Sequence, residues 1–338
     1  MRRVLVPLSL SADQPALGSV VFDAAGSTMG TSWSARAVLA PGAQQANATA
    51  LVYDLQRQLD IVVAQMSHWE PASDLSLFNS APAGTWRHLP SAFYKVLSYA
   101  LDVARLSGGA YDPCAGALVN RWGFGARGRF DEAQFSAPDA DTVAAILARQ
   151  DRQRIALEAG ARKVLQPGGV ALDLSSVAKG YAVDQLAISL ELRGVRHYLV
   201  EVGGELRGAG IKPDGQPWWV TLEGVPDAGE QAPTVVALHG LAVATSGDYR
   251  RHYLYDGTRA SHTIDPRSGQ PIQNNVASVT VLHADCMAAD ALSTALSVLG
   301  PEAGLELAEA QQIAVRFLVR GAQGLEESSS STFKAMLQ

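Results

Sequence analysis

"SVTVLHADCMAADALSTALSVLG" (Ser278–Gly300) changes texture halfway. Its first part, Ser278–Asp285, is rich in β-branched residues and reads as a strand. From Asp285 onward the run reads as a buried helix closed by Gly300. Asp290 and Thr294 stand at i and i+4 on that helix, so a carboxylate and a hydroxyl share one face of an apolar segment. A polar pair in such a place needs partners. Local chemistry offers some: Asp285 as N-cap, Asp290 at the positive end of the helix dipole, and a Thr294 hydroxyl bonded back to the carbonyl of residue 290. On this stretch alone, those roles and a ligand-binding role stand level.

The strand texture recurs from Val164 onward in "HYLVEVGGELRGAG", "WWVTLEGV", "TVVALHGLAVATSG" and "IAVRFLVRG", each bounded by Gly, Pro or Asp. Two helices interrupt it, the one above and one expected to begin near Ser175. Earlier, "VVFDAAGSTMGTSWSARAVLA" reads as two strands joined at Gly26 to Gly30. Leu51, Leu55, Leu59, Val62 and Met66 then recur at helical spacing, as do Phe93, Val96, Leu97, Ala100 and Leu101, with Gly108 and Gly109 ending the second run. Asp256-Gly257 in "YLYDGTRASHTI" marks a hairpin. Strands and helices without regular β-α alternation predict a mixed α+β fold rather than a doubly wound sheet. The expected division is an N-terminal arm over 1–20, one elaborate domain or two interlocked ones over 21–320, and a loosely ordered tail over 321–338. No internal repeat is visible in the sequence.

Composition narrows the function classes. The 338 residues are 47% hydrophobic and 18% charged, which argues for a globular chain, and the net charge of -6 supplies no general basic surface for nucleic acid. Cys114 and Cys286 are too few for a disulfide framework and too far apart in sequence for a zinc site. The start has arginines but only a short apolar stretch broken by Pro7, and no segment is long enough to span a membrane. A soluble, cytoplasmic protein is the expectation. There is no phosphate loop, and "GAGIKPDG" lacks the spacing of a dinucleotide fingerprint.

Four polar clusters remain. In "ALDLSSVAKGYAVD", Asp173 ends a strand, Ser175 and Ser176 stand where a helix begins, and Lys179 falls in its first turn. That is an anion site or merely a serine N-cap beside a solvated lysine. "ATSGDYRRHYLYDGTRASHTIDPRSGQP" gathers Thr245, Ser246, Asp248, Arg250, His262 and Asp265 around one hairpin. In "MSHWEPASDLSLFN", Trp69 either stacks on a planar ligand or plugs a turn. "SGGAYDPCAGALVNRWGFG" either wraps an aromatic cofactor with Tyr111 and Trp122 or makes a tight crossing. Asp290 with the Thr294 hydroxyl and a nearby carbonyl suits Mg²⁺, which favours hard oxygen donors completed by water and phosphate oxygens.

Together and in this order, "GSTMGTSWS", "MSHWEPASDLSLFN", "GGAYDPCAGALVNRWGFG", "LDLSSVAKGYAVD", "VEVGGELRGAG", "ATSGDYRRHY…SHTIDPRSGQP" and "AADALSTALSVLG" resemble the ApbE family of FAD:protein FMN transferases, over roughly Gly26 to Gly300. The resemblance implies a T-fold-like architecture and a Mg²⁺-dependent phosphoryl transfer: FAD is split at its pyrophosphate, FMN is joined to a threonine or serine of an acceptor flavoprotein, and AMP leaves. It implies that Met29 lines the flavin or adenine pocket, that Trp69 packs on a ring of FAD, and that Ala110, Tyr111, Asp112 and Asp173 contact FAD. Ser176 would offer its backbone carbonyl to Mg²⁺, Lys179 would reach the phosphates, and His262 and Ile264 would contact FAD from the hairpin. Asp290 and Thr294 match the metal-binding helix, and the general base stays open between Asp290 and His262. There are departures: Ser176 replaces a common alanine, and His68 and Trp69 stand where many relatives have threonine and tyrosine. Without the signal peptide or lipid-attachment cysteine of many relatives, the acceptor is expected in the cytoplasm or on a cytoplasmic membrane face. A FAD pyrophosphatase and a flavin carrier without turnover are the competing readings.

Overall fold

The computed structural model describes residues 3–42, 44–150, 154–226, 233–255 and 257–338. Its organising element is built by alternation. In Tyr198–Val202, Tyr198, Val200 and Val202 are buried and the two residues between them less so, the period of a pleated strand. Eight strands form one sheet: β1 (Val20–Thr28), β2 (Thr31–Leu39), β3 (Tyr198–Val202), β4 (Glu205–Ala209), β5 (Leu241–Gly247), β6 (Val276–His283), β7 (Ala314–Gly321) and β8 (Gly324–Ser329). Every neighbouring pair is antiparallel, and the order across the sheet is the chain order, β1 to β8.

The long connections cover that sheet. Between β2 and β3 come α1 (Gln44–Met66), α2 (Asp74–Asn79), α3 (Ser91–Leu106) and α4 (Ala178–Leu192), and between β6 and β7 comes α5 (Cys286–Ala310). One face carries the main core, where Trp33, Ala35, Val200, Ala244, Val281 and Phe317 meet the helices. Leu51, Leu55, Leu59, Val62 and Met66 of α1, and Phe93, Val96, Leu97, Ala100 and Leu101 of α3, are all buried, as their spacing predicts. On the opposite face Val243, Leu282 and Ala314 pack with Leu5, Leu238 and Phe333, contributed by the small sheet Arg3–Leu5, Thr234–Leu238, Trp218–Thr221 and by the helix Ser331–Ala335. The fold is α+β. Each half of the sheet has the same plan, a strand pair, a helix and a second strand pair: β1β2–α4–β3β4 and β5β6–α5–β7β8. Insertions into the first helical connection and between β5 and β6 hide this duplication from the sequence.

Three local expectations change. The β1–β2 join is only two residues long: Thr28 pairs with Thr31, and Met29 (φ 50°) and Gly30 (φ 72°) both take the positive φ that a type I′ turn demands, so Gly26 lies inside a strand. Residues 321–338 are not loose, because their serines lie on β8 or cap a helix: Ser329 is buried, Ser330 accepts from the Phe333 N–H at 3.3 Å, and Phe333 is fully buried. Arg3, in the expected N-terminal arm, pairs with Glu327. The hairpin His252–Tyr255 with Thr258–Ser261 forms as predicted, although Asp256 of its turn lies outside the described residues. Gly300 ends the first segment of α5 at φ 76°, and Pro301 opens the second.

Candidate functional site

Antiparallel pairing sends β1, β3 and β5 toward the same end of the sheet, and a cavity of about 420 Å³ opens there. Met29 and Gly30 of the β1–β2 turn, Gly203 and Glu205 around the β3–β4 turn, and Thr245 and Ser246 at the end of β5 line it. The remaining walls come from α4, α5 and two loops.

The helix pair is tied together by backbone donors. Ser175–Val177 form a turn rather than the first helical residues, α4 starts at Ala178, and no side chain caps it, so the serine N-cap is not made. Instead Asp173 Oδ1 accepts from the Ser175 N–H at 2.8 Å. Gly180, one turn into α4, donates its N–H to Asp290 Oδ2 at 2.9 Å, an approach possible because it has no Cβ: one built there would lie 2.3 Å from the Cys286 carbonyl oxygen. Asp285 stands at the N-cap position of α5 without capping it. The role passes to Asp184 on α4, whose carboxylate accepts from the N–H groups of Cys286 at 3.0 Å and Met287 at 2.9 Å and also pairs with Arg207.

Thr294 does not bond back along its helix. Ser293 donates to the Asp290 carbonyl, while the Thr294 hydroxyl lies 3.2 Å from Ser246 Oγ across the cavity wall. Asp290 is 4% exposed, and burial, partly offset by Lys179, raises its carboxyl above the ordinary range. Lys179 pairs with Glu205, which is 2% exposed. Burial lowers the Lys179 ammonium, but Glu205 and Asp290 outweigh it and hold the lysine protonated, above its usual value. Burial pushes Glu205 up against the pull of Lys179, with the Asp290 carboxylate adding to the rise.

The loops supply the flatter walls. Ala110, Tyr111 and Asp112 line the cavity, and the same segment makes a tight crossing: Asp173 N–H donates to Pro113 O and Gly116 N–H to Ala171 O. The tight crossing is therefore made, with Tyr111 at the cavity, whereas Trp122 is buried away from the cavity lining and donates its Nε1–H to the Gly269 carbonyl at 2.7 Å. Burial drives the Tyr111 phenol far above its normal range, so its hydroxyl stays protonated while accepting from Ser176 Oγ at 3.3 Å. His262 Nδ1 lies 3.1 Å from the Arg251 carbonyl. A carbonyl only accepts, so Nδ1 carries the hydrogen and Nε2 keeps its lone pair. Burial, with Arg251, Lys179 and Arg250 nearby, lowers the imidazole to about 4 and leaves it neutral at pH 7. Phe124 meets this ring edge-on at 6.3 Å, and Ile264 packs beside Phe124.

Of the candidate residues, Met29, Ala110, Tyr111, Asp112, Asp173, Ser176, Lys179, His262, Ile264, Asp290 and Thr294 all line this cavity. Trp69 does not. It is 45% exposed, its ring lies 5.9 Å from the Arg129 guanidinium and 5.3 Å from the His68 ring, and His68 Nδ1 is 4.0 Å from Asp173. Sequence reasoning passed over Glu205, Asp184 and Gly180 as site-builders. The one available signal was an acid opening a strand right after Gly203-Gly204. Among the described residues no three His, Cys, Asp or Glu side chains converge on a common point, so the hard oxygens of Asp290 and Thr294 form an incomplete set of donors.

The comparisons with known proteins point one way. A profile of the ApbE family matches residues 29–317. The chain is 37% identical over 312 residues to the FAD:protein FMN transferase of Vibrio cholerae, covering 92% of this chain and 91% of that one. It is 36% identical over 340 residues to that of Haemophilus influenzae, covering 99% and 96%. The solved structure of the Pseudomonas stutzeri flavinyl transferase ApbE in its apo form superposes with a TM-score of 0.85 at 36% identity, over 94% of this chain and 97% of that one. With sequence, fold and extent in agreement, this chain belongs to the ApbE family.

Proposed function

We propose that this protein transfers FMN from FAD to the hydroxyl of a threonine or serine on an acceptor flavoprotein and releases AMP. The observation that carries the reading is a single cavity whose lining combines hard, polar or charged groups, on Asp290, Thr294, Ser176 and Lys179, with the apolar or aromatic surfaces of Met29, Tyr111 and Ile264. A pyrophosphate attached to aromatic rings needs both kinds of surface, and about 420 Å³ lies within the usual size of a ligand pocket.

In the reaction the acceptor oxygen bonds to the FMN phosphorus, the bond from that phosphorus to the AMP phosphate breaks, and the hydroxyl proton passes to a base. His262 Nε2 is the better base of the two candidates, because its lone pair is free while Asp290 Oδ2 is engaged by the Gly180 N–H. Lys179, held protonated, stabilises charge that builds on the phosphate oxygens. Asp290 and the Thr294 hydroxyl, with the Ser176 carbonyl, fit Mg²⁺ because all are hard oxygens and the set leaves room for water and phosphate. When bound there, Mg²⁺ would neutralise pyrophosphate charge. The Tyr111 hydroxyl, accepting from Ser176 Oγ, keeps its own O–H for a polar group of the ligand.

The test is to incubate the protein with FAD, Mg²⁺ and a threonine-containing acceptor. A mass gain of one FMN on the acceptor, with AMP in solution, is the expected result. Free FMN without that gain would instead make the protein a pyrophosphatase, and FAD left intact would make it a carrier.

A further inference from the structure

Glu205 opens β4 directly after the Gly203–Gly204 turn and lies at the charged end of the cavity. One carboxylate oxygen, Oε1, is paired with the Lys179 ammonium, and the other, Oε2, is buried without a hydrogen-bond partner. Stability does not account for this arrangement. A buried carboxylate with an unsatisfied oxygen is costly, and buried ion pairs are often no more stabilising than apolar side chains of the same size. Lys179 itself rises from the first turn of α4 and senses two carboxylates, Glu205 and Asp290. A flexible ammonium beside two carboxylates can settle on either one. Settling on Asp290 would spend the carboxylate that the hard-oxygen end of the cavity depends on.

We propose that Glu205 is a positioning residue that holds the Lys179 ammonium away from Asp290 and presents it to the substrate's pyrophosphate. This rests on the reading of the cavity as a FAD site. Arg250 fixes the turn that aims Glu205: its guanidinium donates to the Gly203 carbonyl at 3.3 Å and is anchored on the other side by Glu223. Glu205 therefore acts through Lys179 and does not touch the reacting atoms.

The experiment is a double-mutant cycle on FAD affinity, measured by calorimetry with Mg²⁺ present and no acceptor, using Glu205→Gln, Lys179→Met and the pair. Glu205→Gln alone should weaken FAD binding by roughly tenfold to a hundredfold, the scale of losing one charge-assisted contact. In the Lys179→Met background the same change should do almost nothing. The Mg²⁺ concentration needed for half-maximal FAD binding should also rise in Glu205→Gln and return in Glu205→Asp, which restores the charge. Equal effects of Glu205→Gln in both backgrounds would overturn the proposal, as would unchanged affinity with Lys179 intact. If Glu205→Gln does not fold, the cycle is run with Glu205→Ala, which also removes the carboxylate and to which the same criteria apply. Failure of unsubstituted protein to bind FAD would overturn the reading of the cavity itself, a result separate from the coupling.

Discussion

Gly180→Ala is a one-carbon change with a calculable consequence. The new Cβ would stand 2.3 Å from the Cys286 carbonyl oxygen, 2.7 Å from the Cys286 carbonyl carbon and 2.8 Å from Asp290 Cβ, whereas ordinary contact begins at 3.4 Å. Two of those atoms are backbone, so no side chain can swing aside. The start of α5 must retreat from α4 by about 1 Å, which stretches the 2.9 Å bond from the Gly180 N–H to Asp290 beyond hydrogen-bonding range. Forced overpacking of this kind costs ~1–3 kcal/mol. Alanine's better helix propensity returns ~1 kcal/mol, leaving a net loss on the order of 0–2 kcal/mol. Activity should suffer more than stability, since a shift of ~1 Å in a reacting group can cost ~100-fold in rate. Urea unfolding gives the first quantity, and FMN transfer at saturating FAD gives the second. A variant as stable as the parent that also transfers FMN at the parental rate would show that the close approach of α4 and α5 does not set the site.

Other perturbations separate the roles further. Asp290→Ala should abolish Mg²⁺-dependent turnover while far-ultraviolet circular dichroism stays unchanged, and full activity in a folded variant would remove Asp290 from the metal site. Asp184→Ala should lower the unfolding free energy by ~3 kcal/mol or more, because it strips two N–H acceptors from the start of α5 and leaves Arg207 without its closest partner. Denaturant titration measures that loss. The His262 imidazole should titrate near 4 in the free protein, followed by nuclear magnetic resonance, rather than near the unperturbed ~6.5. Between those values the unfolded chain binds the proton more readily. Stability should therefore be complete above the unfolded value and fall as pH drops through this window, and a midpoint near 6.5 would mean a solvated ring.

Much of the fold was legible because single elements obey simple periods. The α1 and α3 stripes, the Gly300 stop and the Asp256-Gly257 hairpin each follow from one local rule. The duplicated plan was not legible, since the strands that pair across it are separated by insertions longer than the halves' own connections. The serine run near the C-terminus misled for a related reason: serines that end a strand or cap a helix look like disorder until Ser329, Ser330 and Phe333 are seen to be buried. At the site, residue types were readable but partners were not. Asp290 and Lys179 stood out as polar residues in apolar helices. Their ties to Gly180 and Glu205 depend on how two helices and a turn meet, which no spacing rule encodes. Trp69 shows the converse, an aromatic that its motif context sets against a ring of FAD and that the fold leaves half-exposed, not among the residues lining the cavity.

The two matching halves also govern the order in which the site can come into being. Lys179 and Glu205 belong to the first half and find each other there, whereas Thr245, Ser246, Asp290 and Thr294 belong to the second. A growing chain thus carries its cationic end early, already neutralised, and cannot assemble the oxygen-rich wall until synthesis has passed Gly300. A chain halted before α5 would lack Asp290 and Thr294 and with them part of the cavity wall. A ligand of this cavity therefore stabilises only chains made past that point, because it stabilises only the state that binds it.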